Sequence, residues 1–331
     1  TKTRLSAMDI TGKELWQKSI PEAKDYGMLT SATDVYLLSK KKHEMLEGGF
    51  DLRGYSAGDG TAYDRLELKD KKGNQLKVLG FELDPVTGKP VVTGTIINER
   101  RGNLYNSVKG LHKGVYEGVF SISMNGPKKA DIRERYSYWK DGSNAPAIKT
   151  NGMLSEEKLY PRYTSTMRDY QGNTYFVGSS YERKLRVGGI VASVITVPLF
   201  MPPILFMNGG THKSRQADVV VLRQDSAGKV GFENTIDARN SRYLPSRAEF
   251  FNYGNRQFYT VSNSTSRSNF LIMDEPESAA IYHVEKRKVV RRVPHKDGHL
   301  KTYIYPAKEG HIMVMEYNSK ARETKLSIEA L

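Results

Sequence analysis

Seven histidines, His43, His112, His212, His283, His295, His299 and His311, are the chain's candidate metal ligands and proton carriers. None falls in a His-Glu-x-x-His pair, the spacing that sets two imidazoles on one helix face around zinc. His295-Lys-Asp297-Gly-His299 offers ligand atoms at i, i+2 and i+4, but a basic, Gly-containing run reads first as a plain turn. Four carboxylates, Asp59, Asp64, Asp131 and Glu134, fall near the expected starts of inner strands. Two such groups about 5 to 9 Å apart could cleave a glycosidic bond by acid–base chemistry. No histidine sits beside a Gly-x-Ser-x-Gly elbow, and no Walker-type phosphate loop is present. There is no cysteine, which excludes thiolate nucleophiles, thiolate zinc sites and a disulfide framework. The residues therefore nominate no catalytic, cofactor or metal site. They favour a binding protein over an enzyme, with polysaccharide cleavage by central carboxylates as the alternative.

The elements that would position such residues are read from two recurring phrases. The first is a strand, an Asp-x-x-Gly turn and a second strand: Asp9-Ile-Thr-Gly12, Asp70-Lys-Lys-Gly73 and Asp225-Ser-Ala-Gly228. The Asp side chain can accept hydrogen bonds from the turn backbone, and Gly supplies the positive φ of a tight reversal. The second phrase sets two glycines six apart around an apolar strand. It appears in Asp84-Pro-Val-Thr-Gly88 through Gly94 and in Asp169-Tyr-Gln-Gly172 through Gly178. Weaker copies stand at Asn252–Gly254 and Gly310, and a decayed one at Asp34. Hairpins repeated at a period of roughly 60 to 66 residues indicate a β-propeller, one blade plus a long loop per period.

The phrases predict an all-β chain, residues 1–331 forming one propeller domain of about five blades, or six with an upstream segment. Asp-x-x-Gly turns are expected to join the outer strand of one blade to the inner strand of the next. The Gly-Asn-x-Tyr phrase is expected to join the two middle strands, leaving Thr3–Asp9 as an orphan outer strand. The 20 Tyr, 11 Phe and 29 Gly suit strands and turns, and no run keeps a helical period over several turns.

The formal net charge is +14. Basic clusters at Lys40-Lys41-Lys42-His43, Lys71-Lys72, Lys128-Lys129 and Lys286-Arg287-Lys288 suit solvated loops and edge strands. The whole-chain excess points further, to an anionic polymer such as nucleic acid, anionic lipid or acidic glycan as a partner.

Between the third and fourth blades, residues 183–215 form an apolar insertion, uncharged from Val187 to Thr211. Its length would cover a bilayer, but Pro198, Pro202, Pro203 and paired glycines argue against one straight spanning helix. The expected role is docking to a membrane surface or protein partner. Ile190, Val194, Leu199, Phe200, Ile204, Leu205 and Phe206 would be inserted, and Arg183, Lys184, Arg186, Lys213 and Arg215 would contact head groups or an acidic partner.

Ala7-Met-Asp9-Ile-Thr-Gly12-Lys13-Glu-Leu-Trp16 and Asp169-Tyr-Gln-Gly172-Asn-Thr-Tyr175-Phe-Val-Gly178 resemble the repeats of quinoprotein-like and cell-surface propellers of Bacteroidota envelopes, many of them uncharacterised. The resemblance covers most of the chain and implies an extracytoplasmic, envelope-associated protein. Its motifs specify blades. The adjacent-cysteine disulfide of quinoprotein dehydrogenases has no counterpart in a chain without cysteine. The resulting expectation is a non-enzymatic binding or scaffolding propeller, without cofactor, that docks through its apolar insertion.

Overall fold

The computed structural model describes residues 3–41, 48–141, 148–185, 212–238, 243–245, 257–275, 277–295 and 298–331. Their strands form six antiparallel sheets laid down in chain order. Sheet I is the hairpin β1 (Thr3–Met8) and β2 (Glu14–Ile20). Sheet II holds β3 (Asp25–Thr30), β4 (Asp34–Lys40), β5 (Phe50–Ser56) and β6 (Leu66–Glu67). Sheet III holds β7 (Leu76–Leu83), β8 (Pro90–Ile97), β9 (Tyr116–Met124) and β10 (Ile132–Tyr138). Sheet IV holds β11 (Leu159–Arg168), β12 (Thr174–Leu185), β13 (His212–Gln224) and β14 (Val230–Ile236), with β15 (Tyr243–Pro245) also on β13. Sheet V holds β16 (Gln257–Asn263), β17 (Ser268–Asp274), β18 (Ser278–His283) and β19 (Lys288–Pro294). Sheet VI holds β20 (Leu300–Pro306), β21 (His311–Asn318) and β22 (Glu323–Ala330).

Successive sheets pack face to face, as the alternation of side chains along each strand demands. Trp16 and Ile20 of sheet I meet Leu37 and Tyr55 of sheet II. Tyr36 and Leu52 then meet Val92, Phe120 and Ile122 of sheet III. Val119 of sheet III meets Phe176 and Leu222 of sheet IV, and Val177 and Val219 meet Leu271 and Tyr282 of sheet V. Ile272 and Ile281 close the series against Ile304 and Ile312 of sheet VI. Each such side chain contributes about 1.5 to 3 kcal/mol when taken out of water. The first strands of the sheets also touch in sequence: β3 on β7, β7 on β11, β11 on β16 and β16 on β20. This is propeller-type organisation, with first strands innermost.

The sheet count is six rather than the expected five. The difference arises at the first turn. Asp9 Oδ1 accepts the backbone N–H groups of Thr11 and Lys13, Gly12 takes φ 85°, and β2 folds straight back on β1. The N-terminal strand is therefore half of its own sheet, not an orphan. Asp225–Gly228 makes the same kind of turn between β13 and β14, again inside one sheet. Only Asp70–Gly73 links the last strand of one sheet to the first of the next. The turn at Asp169–Gly172 joins the first and second strands, β11 and β12, not the two middle ones. The local geometry of a tight reversal is the same in all these places, so the motif cannot distinguish them.

Residues 186–211 of the expected apolar insertion are not among the described residues, so Ile190, Val194, Leu199, Phe200, Ile204, Leu205, Phe206 and Arg186 lie outside them. Arg183 and Lys184 near the end of β12 face Ser214 and Lys213 across the ladder with β13, and Arg215 faces Glu182. Among the described residues no helix is long and apolar enough to cross a membrane.

Candidate functional site

The four carboxylates singled out in the sequence do not converge. Asp59 lies in the turn after β5, held down to about 2 by hydrogen bonds led by the Thr61 backbone N–H. Asp64 accepts the Lys129 backbone N–H at 2.8 Å, tying the approach to β6 to the β9–β10 turn. Asp131 caps that turn through the Lys128 N–H, and Glu134 is exposed on β10, the outermost strand of sheet III. None stands on a first strand. His295 pairs with Asp274 at 3.2 Å, and Asp297 lies outside the described residues. Among the described residues no three metal-capable side chains come together.

A different set of groups does converge, on the facing sides of sheets III and IV. The register of sheet III aligns Glu82, Val91, Ser123 and Arg133 in one row across its four strands, and Gly80, Thr93, Ser121 and Arg135 in the next. Sheet IV answers with Arg168, Thr174, Gln224 and Val230, and with Thr166, Phe176, Leu222 and Phe232. The two sheets touch where Thr93 and Thr166 share a hydrogen bond of 2.6 Å between their hydroxyls. Gly80 permits this approach, because a Cβ there would stand 2.0 Å from Thr166 Oγ1. Toward the other end of the strands the interface is apolar, with Val119, Trp139 and Leu154 against Phe176 and Val220. The result is a polar wedge that ends at the first turns of the two sheets. Four strands span about 14 Å from Glu82 to Arg133, given roughly 4.8 Å between neighbouring strands.

The charges in the wedge are unequal. Asp84, two residues beyond Glu82, is buried and forms a buried ion pair with Arg168 Nε. Burial works to raise the Asp84 pKa, but the Thr87 N–H, the Arg168 charge and the Val86 N–H outweigh it and hold the group ionised. Glu82 goes the other way. Burial, helped by the Asp84 charge and only partly opposed by Arg168, pushes its carboxyl up to about 7. Its Oε1 is buried and has no hydrogen-bond partner, and the same holds for Ser121 Oγ and Gln224 Oε1. Gln224 Nε2 instead donates to Ser137 Oγ at 2.7 Å, and that hydroxyl donates to the Gly228 carbonyl at 2.6 Å. Two carboxyls whose environments drive their pKa values apart give one proton donor and one fixed anion near neutral pH.

These residues escaped the sequence reading because strict alternation in a strand normally puts hydroxyls toward water. Thr93, Thr95, Ser121 and Ser123 alternate with Val92, Phe120 and Ile122, yet all four hydroxyl residues are buried. The signal present was Thr-x-Thr in β8 and Ser-x-Ser in β9, the two middle strands of sheet III.

A second polar pair links the β8–β9 connection to β13. His112, on the short helix α1 (Val108–His112) in the β8–β9 connection, lies 3.4 Å from Ser214 Oγ through Nε2. Burial, with Arg183 and His212 nearby, lowers the imidazole to about 4, so it is a neutral base at pH 7. Ser214 has no exposed surface, so its hydroxyl is closed to a substrate. The pair is structural.

No known family model matches this chain, and no curated protein sequence matches it. Among solved structures it is similar to a protein of unknown function from Bacteroides caccae, with 9% identity, a TM-score of 0.40, and coverage of 96% of this chain and 87% of that one. It is also similar to an exo-β-1,3-galactanase from Clostridium thermocellum, with 10% identity, a TM-score of 0.38, and coverage of 98% and 61%. The Dos1 propeller gives 7% identity, a TM-score of 0.38, and coverage of 98% and 61%. The chain thus spans about three-fifths of the last two. Likeness at this level concerns the fold, and further similar structures carry the names exo-β-1,3-galactanase and β-1,3-galactosidase. The expectation of a non-enzymatic scaffold is corrected on one point: the similar structures include exo-β-1,3-galactanases.

Proposed function

We propose that the chain acts on a polysaccharide, with Glu82 as proton donor and Asp84 as the fixed negative charge beside it. The observation that carries the reading is the split within one wedge. Glu82 sits near 7 by burial, and Asp84, two residues on, is kept ionised by Arg168 and turn N–H groups. Alternate residues of an extended strand share a face and stand about 6 to 7 Å apart at Cα, a spacing suited to paired-carboxyl cleavage. In the reaction, Glu82 gives its proton to the glycosidic oxygen as the bond from the sugar carbon breaks. The carbon gains positive charge, which Asp84 stabilises, and water adds there and returns a proton to Glu82. A polymer substrate suits an extracytoplasmic setting.

The test is reducing-end release from a panel of β-linked neutral and acidic polysaccharides, with the native chain and Glu82→Gln compared. Loss of an acid–base group typically slows such steps 10²- to 10⁴-fold. We expect cleavage by the native chain, falling above pH 7 as Glu82 ionises, and at least about a 100-fold loss in Glu82→Gln with unchanged circular dichroism. No cleavage of any panel member, or full activity in Glu82→Gln, would overturn the reading.

A further inference from the structure

We infer that the wedge between sheets III and IV takes a sugar bearing an anionic group, a carboxylate or sulfate ester, at Arg135. This inference rests on the polysaccharide reading and specifies its substrate class.

The row Gly80–Thr93–Ser121–Arg135 runs from the innermost to the outermost strand of sheet III, so Arg135 lies at the rim of the wedge that Glu82 and Thr93 form further in. Arg168, the buried guanidinium of the wedge, is committed to Asp84. Arg135 has no ion pair among the described residues. It is half-buried, its aliphatic stem packs over Gly228, and Arg133 flanks it two residues away on the same strand face.

Electrostatics sharpen the point. Burial, then the Arg168 and Arg133 charges, all act to lower the Arg135 pKa, and Asp225 and Asp84 offset this only in part. Glu82, largely protonated below neutrality, supplies little compensating charge. A partly desolvated guanidinium without a carboxylate is costly unless something anionic meets it. Its planar fork matches a carboxylate or sulfate through two parallel N–H···O bonds. A net charge of +14 would draw an acidic polymer toward the whole surface, and the wedge would select within it.

The neutral alternative is a wedge in which Arg135 only packs. The two separate with paired probes: oligogalacturonate against its carboxyl-reduced form, and a sulfated galactan oligosaccharide against its desulfated form. Binding is measured by calorimetry at two salt concentrations with the native chain and Arg135→Met, which keeps an apolar stem over Gly228. We expect at least one charged probe to bind 10-fold or more tighter than its neutral partner. The same preference should vanish in Arg135→Met, whose affinity for neutral probes stays within 2-fold. The arm that shows the preference identifies carboxylate or sulfate. Equal affinity for charged and neutral members of both pairs would overturn the inference, as would a preference that survives in Arg135→Met. If Glu82→Gln abolishes cleavage while charge makes no difference, the anionic assignment alone fails. If a charged probe binds through Arg135 but neither native chain nor variant cleaves any glycan, the catalytic reading alone fails.

Discussion

Replacing Glu82 by Gln should change how stability depends on pH far more than it changes stability itself. The folded carboxyl titrates at about 7 against an ordinary value of 4.5. A group whose pKa is raised on folding contributes fully below its unfolded pKa, and that contribution is lost as pH rises through the folded value. The window here is therefore about pH 4.5 to 7. With about 1.4 kcal/mol per pH unit, the wild-type chain should lose about 3 kcal/mol across it from this one group. Gln is uncharged throughout and similar in shape to the protonated acid, so the variant should escape the loss. For a chain of 331 residues the unfolding entropy is about 0.7 kcal/mol/K, so the loss corresponds to about 4 to 5 °C in Tm. Thermal melts followed by circular dichroism at pH 5, 6, 7 and 8 would read it out. Wild type and Glu82→Gln should coincide near pH 5 and diverge upward, the variant melting about 4 °C higher at pH 8. Every other titrating group is the same in both proteins and cancels in the difference. Parallel Tm curves for the two proteins would show that Glu82 is not desolvated and would remove the basis for its role as proton donor.

Arg168→Met leaves Asp84 as a buried carboxylate without its counter-ion, which should cost about 3 to 5 kcal/mol and lower Tm by about 4 to 7 °C. Adding Asp84→Asn should recover part of that, and a double variant no more stable than Arg168→Met would refute the ion-pair account. Gly94→Ala places a Cβ 1.9 Å from the Lys77 carbonyl oxygen and 2.9 Å from the Phe120 ring, so it should cost about 3 kcal/mol or more in urea unfolding. Gly88→Ala meets no atom within 4 Å and carries only the strain of φ 63°, so it should cost about 1 kcal/mol; equal effects of the two would contradict the packing described.

What the sequence made legible was the class of the fold and the kind of turn, because both follow from local chemistry. An Asp carboxylate that accepts two backbone N–H groups beside a positive-φ glycine, as at Asp225 and Gly228, forms the same reversal wherever it occurs. What it could not carry was which strands that reversal connects. Asp9 and Asp225 join neighbours within a sheet, whereas Asp70 joins two sheets, and the distinction lies in long-range pairing. The count of five for six sheets follows from assigning every such turn one topological meaning.

The site was hidden for a related reason. A period of two reports that a strand has two different faces, and says nothing of what covers the second. In β9, Phe120, Ile122 and Met124 face sheet II, where they pack with Leu52. Ser121 and Ser123 take the opposite side, which a lone sheet would give to water. In this stack sheet IV covers it, so hydroxyls, a carboxyl and arginines enter a space that a sandwich core would fill with aliphatics. A polar group left there without a partner, such as Glu82 Oε1 or Ser121 Oγ, costs about 1 to 3 kcal/mol. That cost is avoidable in an interface built only for packing, where valine at Ser121 would fit the neighbouring pattern. Its persistence in the wedge, beside an ion pair and a displaced carboxyl pKa, is what the proposed function would explain.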